Sequence, residues 1–354
     1  MGTPLVWASA FHLFIGNALI GLFEGYLLAR FFELRRRRAC GCLIAANYLS
    51  MWAGSIILPR LFYSMTTDIY NALRVTWGLV GISYLLTLVM EWPFVALAFR
   101  NKPNWLKASI KGSLLIQTAS YLIIFGGYWS LSGTSLYSKF SVVNQAEMAK
   151  PDGITMFFIS AKDGGVYRCT LAGSFDEKVF DLKSTNDWDF LRFEEAPGDT
   201  NVWDLAAVKD RHWDNPTVIL PALTTAERVA HRDAWGTQQY GGWGQAVRLG
   251  SATNSNWHFT YCNWPDIGFW GRCEAKEVSP VQIAFGTLFG GWAPRRIIQL
   301  ADEQLLVQLG EDQICFFDFR TRKVSLLRRG YRIGQPVLVS LTKTTSCPIQ
   351  KGRR

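Results

Sequence analysis

At 354 residues the chain exceeds one typical domain, so two units are expected. The formal charge of +9 and the 49% hydrophobic content are both unevenly spread. Residues 1–138 hold 11 Lys and Arg against Glu24, Glu33, Asp68 and Glu91, while the remainder is close to balanced. The basic excess therefore sits in loops beside apolar runs, which argues against nucleic acid as the partner.

The first apolar run, Trp7 to Phe32, is 26 residues long and is followed by Arg35-Arg36-Arg37-Arg38. A helix needs about 20 residues to cross the hydrocarbon, so this run predicts a span. No Lys or Arg precedes Trp7, as a cleaved signal peptide would require, so the expectation is a retained helix. Three more runs predict spans over 42–62, 75–99 and 113–129, the last being the shortest. Trp and Tyr near their ends (Trp7, Tyr63, Trp77, Tyr128, Trp129) suit the interfacial belts.

Orientation follows from the cations of the short loops. Arg30, Arg35 to Arg38, Arg100, Lys102, Lys107 and Lys111 flank the first and third loops, whereas Arg60 and Arg74 alone flank the second. Nine against two places the first and third loops in the cytoplasm of a bacterial inner membrane. With four spans over residues 1–131, both termini and the whole carboxy-terminal part are then extracytoplasmic.

One polar side chain per helix falls at a common depth. Counting about 1.5 Å per residue from each cytoplasmic end puts Glu24, Asn47, Glu91 and Gln117 roughly 8–13 Å into the bilayer. Asn17, Gly21, Glu24 and Gly25 make one stripe of the first helix, with Gly21-x-x-x-Gly25 permitting close backbone approach, and Ala46, Asn47, Ser50 and Gly54 do likewise on the second. Two chemistries fit Asn17, Glu24, Asn47, Glu91 and Gln117: hydrogen bonds that tie helices together, which is the preferred reading, or a proton or cation site of a transporter-type component. His12 has no second intramembrane His to form a haem or metal pair.

After a polar connector at 132–152 the texture changes to short β-rich runs divided by Gly, Asp, Asn and Pro. Thirteen candidate strands lie between Ile154 and Leu341, which predicts an all-β domain over 153–345 with a basic tail at 346–354. GGVYRCTLAGSFDEKVFDL and DQICFFDFRTRKVSLL share a strand–turn–strand form resembling the inner hairpin of a propeller blade. A propeller-like domain is the expectation and a β-sandwich the alternative. The acidic run Asp176 to Asp199 reads as a soluble edge, and Thr224 to Val229 as a helical turn.

Trp235, Trp243, Trp257, Trp264 and Trp270 crowd into residues 234–272, either as an aromatic surface for a glycan or protein or, preferably, as core packing. Cys262 and Cys273 flank part of this stretch and are the best candidates for a disulfide in an extracytoplasmic domain. Cys169 and Cys315 occupy equivalent places in the two similar hairpins and read as buried apolar side chains. Cys40 and Cys42, beside the arginines, lack further ligands for a metal.

His212 and His231 lie near carboxylates, as a hydrolase site would require, but solvated turns explain them as well. No G-x-S-x-G, H-E-x-x-H or phosphate-cradling glycine loop is present, and no metal or cofactor is expected. The expected function is a membrane-anchored extracytoplasmic binding or scaffolding protein. Its partners are the bilayer and another envelope or membrane protein. A transporter-type component and an envelope hydrolase are the alternatives.

Overall fold

The computed structural model describes residues 15–63, 67–131, 136–172, 176–185, 189–196, 199–209, 216–224, 243–248, 255–262, 268–273, 281–284, 294–310, 312–331 and 337–338. Two compact units meet in sequence between Lys139 and Phe140, a helical one first and a β unit after it.

The helical unit holds α1 (Asn17–Phe32), α2 (Arg36–Tyr63), α3 (Ala72–Phe99) and α4 (Trp105–Leu131). Neighbours in sequence pack against each other, and α4 returns to α1, so the four helices close a ring. Three helices are long and apolar enough to cross a membrane: Arg36–Ile57 within α2, Ala72–Phe99 and Trp105–Gly127. The expected fourth span is reached only in part, because the described portion of α1 has 16 residues and Trp7 to Phe14 lie outside the described residues.

The packing is inverted relative to a water-soluble bundle. Leu19, Phe23, Leu49, Trp52, Leu85, Val89, Leu122 and Ile123 are exposed on the helix faces, while Asn17, Glu24, Asn47, Glu91, Ser113, Gln117 and Ser120 are buried. Apolar side chains outside and polar ones inside are what a hydrocarbon solvent selects.

Close approach of α1 and α2 follows from Gly21 and Gly25. A Cβ on Gly21 would stand 2.7 Å from the Cα of Ile44, and one on Gly25 would stand 2.5 Å from the Cα of Cys40. The expected small-residue seam is thus real, and its partner is the Cys40–Ile44 ridge one helical turn long. Only Glu33 to Arg35 separate the two helices. Glu33 takes the left-handed conformation (φ 51°), and Leu34 N donates to Ala29 O (3.1 Å) to close the turn. At the same end, Phe32 meets Phe99 edge-on, and the Arg38 guanidinium donates to Leu97 O at 2.5 Å, beside the Arg100 backbone N–H that caps α3 on the same carbonyl.

The β unit is mostly antiparallel. Its ten-stranded sheet runs β4 (Asp176–Phe180), β3 (Val166–Thr170), β2 (Ile154–Ser160), β16 (Lys323–Tyr331), β15 (Gln313–Asp318), β14 (Gln304–Leu309), β13 (Pro294–Ala301) and β9 (Val247–Arg248). Off that path, β1 (Ser141–Val142) pairs with β16 and β17 (Val337–Leu338) with β2. A three-stranded sheet holds β5 (Phe190–Ala196), β6 (Asp199–Val208) and β7 (Thr217–Thr224). A four-stranded sheet holds β8 (Trp243–Gln245), β10 (Trp257–Cys262), β11 (Gly268–Cys273) and β12 (Val281–Ala284).

The expected propeller is not found: the described strands close neither a barrel nor a propeller. What is present is a succession of antiparallel hairpins and meanders, β2–β4, β5–β7, β10–β11 and β13–β16, in chain order. The two similar hairpins are β3–β4 and β15–β16, both in the large sheet.

Strand β2 is buried on both faces because it lies between two cores. Ile154, Met156 and Phe158 join Ile298, Leu306, Ile314, Phe316 and Leu327 on one side. Phe157 and Ile159 join Leu191, Phe193, Trp203, Leu205 and Ile219 of the three-stranded sheet on the other. A continuous apolar run in an antiparallel strand marks burial on both faces. The acidic run read as a soluble edge in fact contains β5, whose Phe190, Leu191 and Phe193 are buried while Arg192 pairs with Glu194.

Candidate functional site

Four helices each contribute a carboxyl, amide or hydroxyl group to one buried ring. On α1 and α2, Asn47 Nδ2 donates to Glu24 Oε2 at 2.7 Å and to Leu43 O at 3.0 Å, which uses both amide hydrogens. Between α2 and α3, Ser50 Oγ donates to Glu91 Oε1 at 2.5 Å. Between α3 and α4, Gln117 Nε2 donates to Glu91 Oε2. Ser120 Oγ of α4 donates to Gln117 O at 3.1 Å and stands beside the Glu24 carboxyl, which brings α4 back to α1. Glu24, Glu91 and Gln117 are each 1% exposed.

The helical repeat explains why these groups meet. Asn47 and Ser50, and likewise Gln117 and Ser120, are three apart and share a helix face. The Gly21–Gly25 seam brings α1 near enough to α2 for the short Asn47 side chain to span the gap. The structure therefore brings together Glu24, Asn47, Glu91 and Gln117. It does not bring Asn17 to them: that amide donates instead to Met51 Sδ at 2.8 Å, seven residues up α1 from Glu24. Ser120 was the member that sequence reading missed, although its three-residue spacing from Gln117 carried the signal.

Both carboxyls are met by neutral donors, and no ion pair to either occurs among the described residues. Among the described residues no group of three or more His, Cys, Asp or Glu could hold a metal ion. A second polar layer joins α3 to α4 alone, where Tyr121 OH lies 3.2 Å from both Ser83 and Thr87 hydroxyls and Tyr84 OH lies 2.9 Å from Thr118.

The aromatic candidates of the β unit separate. Trp257 is 8% exposed and stacks on Phe259 (centroids 5.6 Å apart, 9° between planes), beside Phe319, so it belongs to the core rather than to a surface. Trp243 and Trp270 lie on β8 and β11, while Trp235 and Trp264 lie outside the described residues, as do His212 and His231.

The pairing of β10 with β11 sets Cys262 opposite Gly268 and Cys273 opposite Trp257. The two cysteines therefore stand at opposite ends of the hairpin. Five residues at about 3.3 Å each separate them by roughly 16 Å, against the 7 Å that a disulfide tolerates. The structure does not bring this pair together. Cys169 and Cys315 are buried, as expected, and burial pushes the Cys169 thiol up to about 11.

An exposed polar knot ties the β2–β3 turn to β3 and β4. Asp163 accepts from Lys178 Nζ (2.8 Å), Tyr167 OH (2.9 Å) and Gly165 N (3.1 Å). The Lys178 hydrogen bond, with the others, holds the Asp163 carboxyl down at about 2, and the same contact raises the Lys178 ammonium. Gly164, at φ +65°, must be glycine, since a Cβ would stand 2.1 Å from Ser184 O. This knot shapes the turn. Comparisons with family models, curated proteins and solved structures find no match for the chain.

Proposed function

We propose that the protein is a membrane-anchored binding or scaffolding module. The helical bundle anchors it in a bacterial cytoplasmic membrane, and the β unit meets another envelope or membrane protein on the extracytoplasmic side. The observation that carries this reading is the buried polar cluster in which Asn47 donates to Glu24 and Ser50 and Gln117 donate to Glu91, tying α1 to α2, α2 to α3 and α3 to α4. A ring satisfied internally specifies which helices pair, which is what an anchor requires. The nine cations at the α1–α2 and α3–α4 turns support the cytoplasmic placement of that end. The consecutive hairpins support a platform built from repeated antiparallel units.

Cross-linking of intact membranes is the test. Exposed Lys162 and Lys183 of the β unit should give reproducible cross-links to one other envelope protein, with the same yield in the Glu24→Gln, Glu91→Gln double variant. A phosphatase reporter after Arg354 should be active, as it is only outside the cytosol. Cross-links confined to the chain itself, or a reporter silent outside, overturn the reading. A physiological activity lost in the double variant while the bundle stays folded would favour transport instead.

A further inference from the structure

One end of the helical bundle carries a concentration of positive charge that no ion pair among the described residues neutralises. The end of α1, the start of α2, the end of α3 and the start of α4 meet there, as the Gly25–Cys40, Phe32–Phe99 and Arg38–Leu97 contacts require. Arg30, Arg35 to Arg38, Arg100, Lys102, Lys107 and Lys111 gather at this end against the single acid Glu33. None of the nine cations forms an ion pair among the described residues.

Their placement is locally unfavourable. Arg36 to Arg38 open α2, which has no acidic residue in its first turn, and Lys107 opens α4 in the same way. Cations there stand on the positive ends of two helix dipoles as well as beside one another, and an anion at the same place offsets both repulsions. Two of the arginines are held: Arg38 by Leu97 O, and Arg36 over the Tyr26 ring at 5.6 Å from its centroid. Arg35 and Arg37 are exposed. The charge is rimmed by exposed apolar and aromatic side chains, Phe31 at 61%, Tyr26 at 48%, Leu106 at 47% and Trp105 at 43%. Such rings settle at the boundary between acyl chains and headgroups. A cationic surface with that rim fits an anion that itself lies in the boundary plane.

We propose that this end of the bundle is a binding surface for anionic phospholipid headgroups, with Arg35, Arg36 and Arg37 as its principal contacts. The surface recruits acidic lipid from a mixed leaflet and thereby neutralises the helix ends that the chain leaves uncompensated. The inference rests only on the bundle lying in a bilayer, not on the scaffolding role of the β unit, so either can fail alone.

The test uses the full chain reconstituted into nanodiscs of phosphatidylcholine mixed with phosphatidylglycerol. Native mass spectrometry then reads the ratio of the two lipids that stay bound on release. The wild-type protein should retain phosphatidylglycerol in excess of its share, and R35Q/R36Q/R37Q should lose that enrichment by about tenfold. R35K/R36K/R37K, which keeps the charge, should retain it, and so should R60Q/R74Q, which removes cations from the second loop. The wild-type enrichment should also fall as salt is raised, which keeps the proposal testable even where a variant misfolds. Equal retention of both lipids, enrichment surviving the triple Gln change, or equal loss in R60Q/R74Q overturns the proposal. Displacement of the lipid by millimolar inorganic phosphate would also overturn it, by marking a site for a dissolved anion.

Discussion

Glu91 is the residue on which the bundle's polar ring turns, because it accepts from α2 through Ser50 and from α4 through Gln117 at once. Glu91→Ala leaves the buried Gln117 amide without that acceptor, while Ser50 can turn to Asn47 O, and should destabilise the bundle by about 1–2 kcal/mol in thermal or steric-trap unfolding. Glu91→Gln keeps one acceptor oxygen and should lose less. An alanine variant as stable as the wild type would show that the ring is not structural. In the β unit, Asp163 offers a separate check. Its carboxyl is held below its ordinary value of 3.8, so the stabilisation it brings is complete above about pH 4 and is lost as pH falls through about 2. Asp163→Asn should therefore lower the melting temperature at neutral pH and leave it unchanged near pH 2. Because the Asp163 side chain is 33% exposed, the neutral-pH difference should be small and should shrink in high salt.

The α1–α2 hairpin depends on the absence of side chains at Gly21 and Gly25. A Cβ on Gly25 meets backbone, which cannot swing aside as the end of a long side chain can. Gly25→Leu should force the helices apart, break the Asn47–Glu24 hydrogen bond and cost on the order of 1–3 kcal/mol. Gly41→Leu, where a Cβ meets nothing within 4 Å, is the matched control and should be tolerated. Equal stability of the two variants would refute the seam. The seam was legible in sequence as a G-x-x-x-G spacing on an apolar helix, and its partner ridge was not, since Cys40 and Ile44 carry no distinguishing signature. Strands fared in the same way. Ile154–Ser160, Trp257–Cys262 and Gln304–Leu309 form where short β-rich runs stand out in the sequence. Strand β5 was missed because Arg192, Glu194 and Glu195 gave it the look of a soluble loop, and an internal ion pair explains the charge.

The two units divide the labour of burial. The helical unit leaves apolar side chains outside and encloses its polar cluster beside an apolar one of Leu28, Leu43, Val95, Phe99 and Ile116, and the β unit encloses two apolar cores with β2 between them. Cys169 and Cys315 sit in this interior at 4% and 0% exposure, so their reactivity reports on the whole β unit rather than on local fraying. At pH 8 the Cys169 thiol, held up at about 11 by burial, should resist a maleimide in the folded protein and react only with denaturant. Peptide mapping that found Cys169 or Cys315 labelled as fast as an exposed thiol would contradict this packing.

Sequence alone determined that the first part of the chain suits a membrane, which end holds the cations, and that Glu24, Asn47, Glu91 and Gln117 share a depth. Each of these follows from local counting, of apolar length, of charge and of rise per residue. Only the tertiary structure decided that those four residues meet, that Asn17 stands apart, that Trp257 is core, and that Cys262 and Cys273 lie at opposite ends of one hairpin. Those outcomes depend on helix rotation and strand register, which arise from contacts between segments distant in sequence and leave no trace in any one of them.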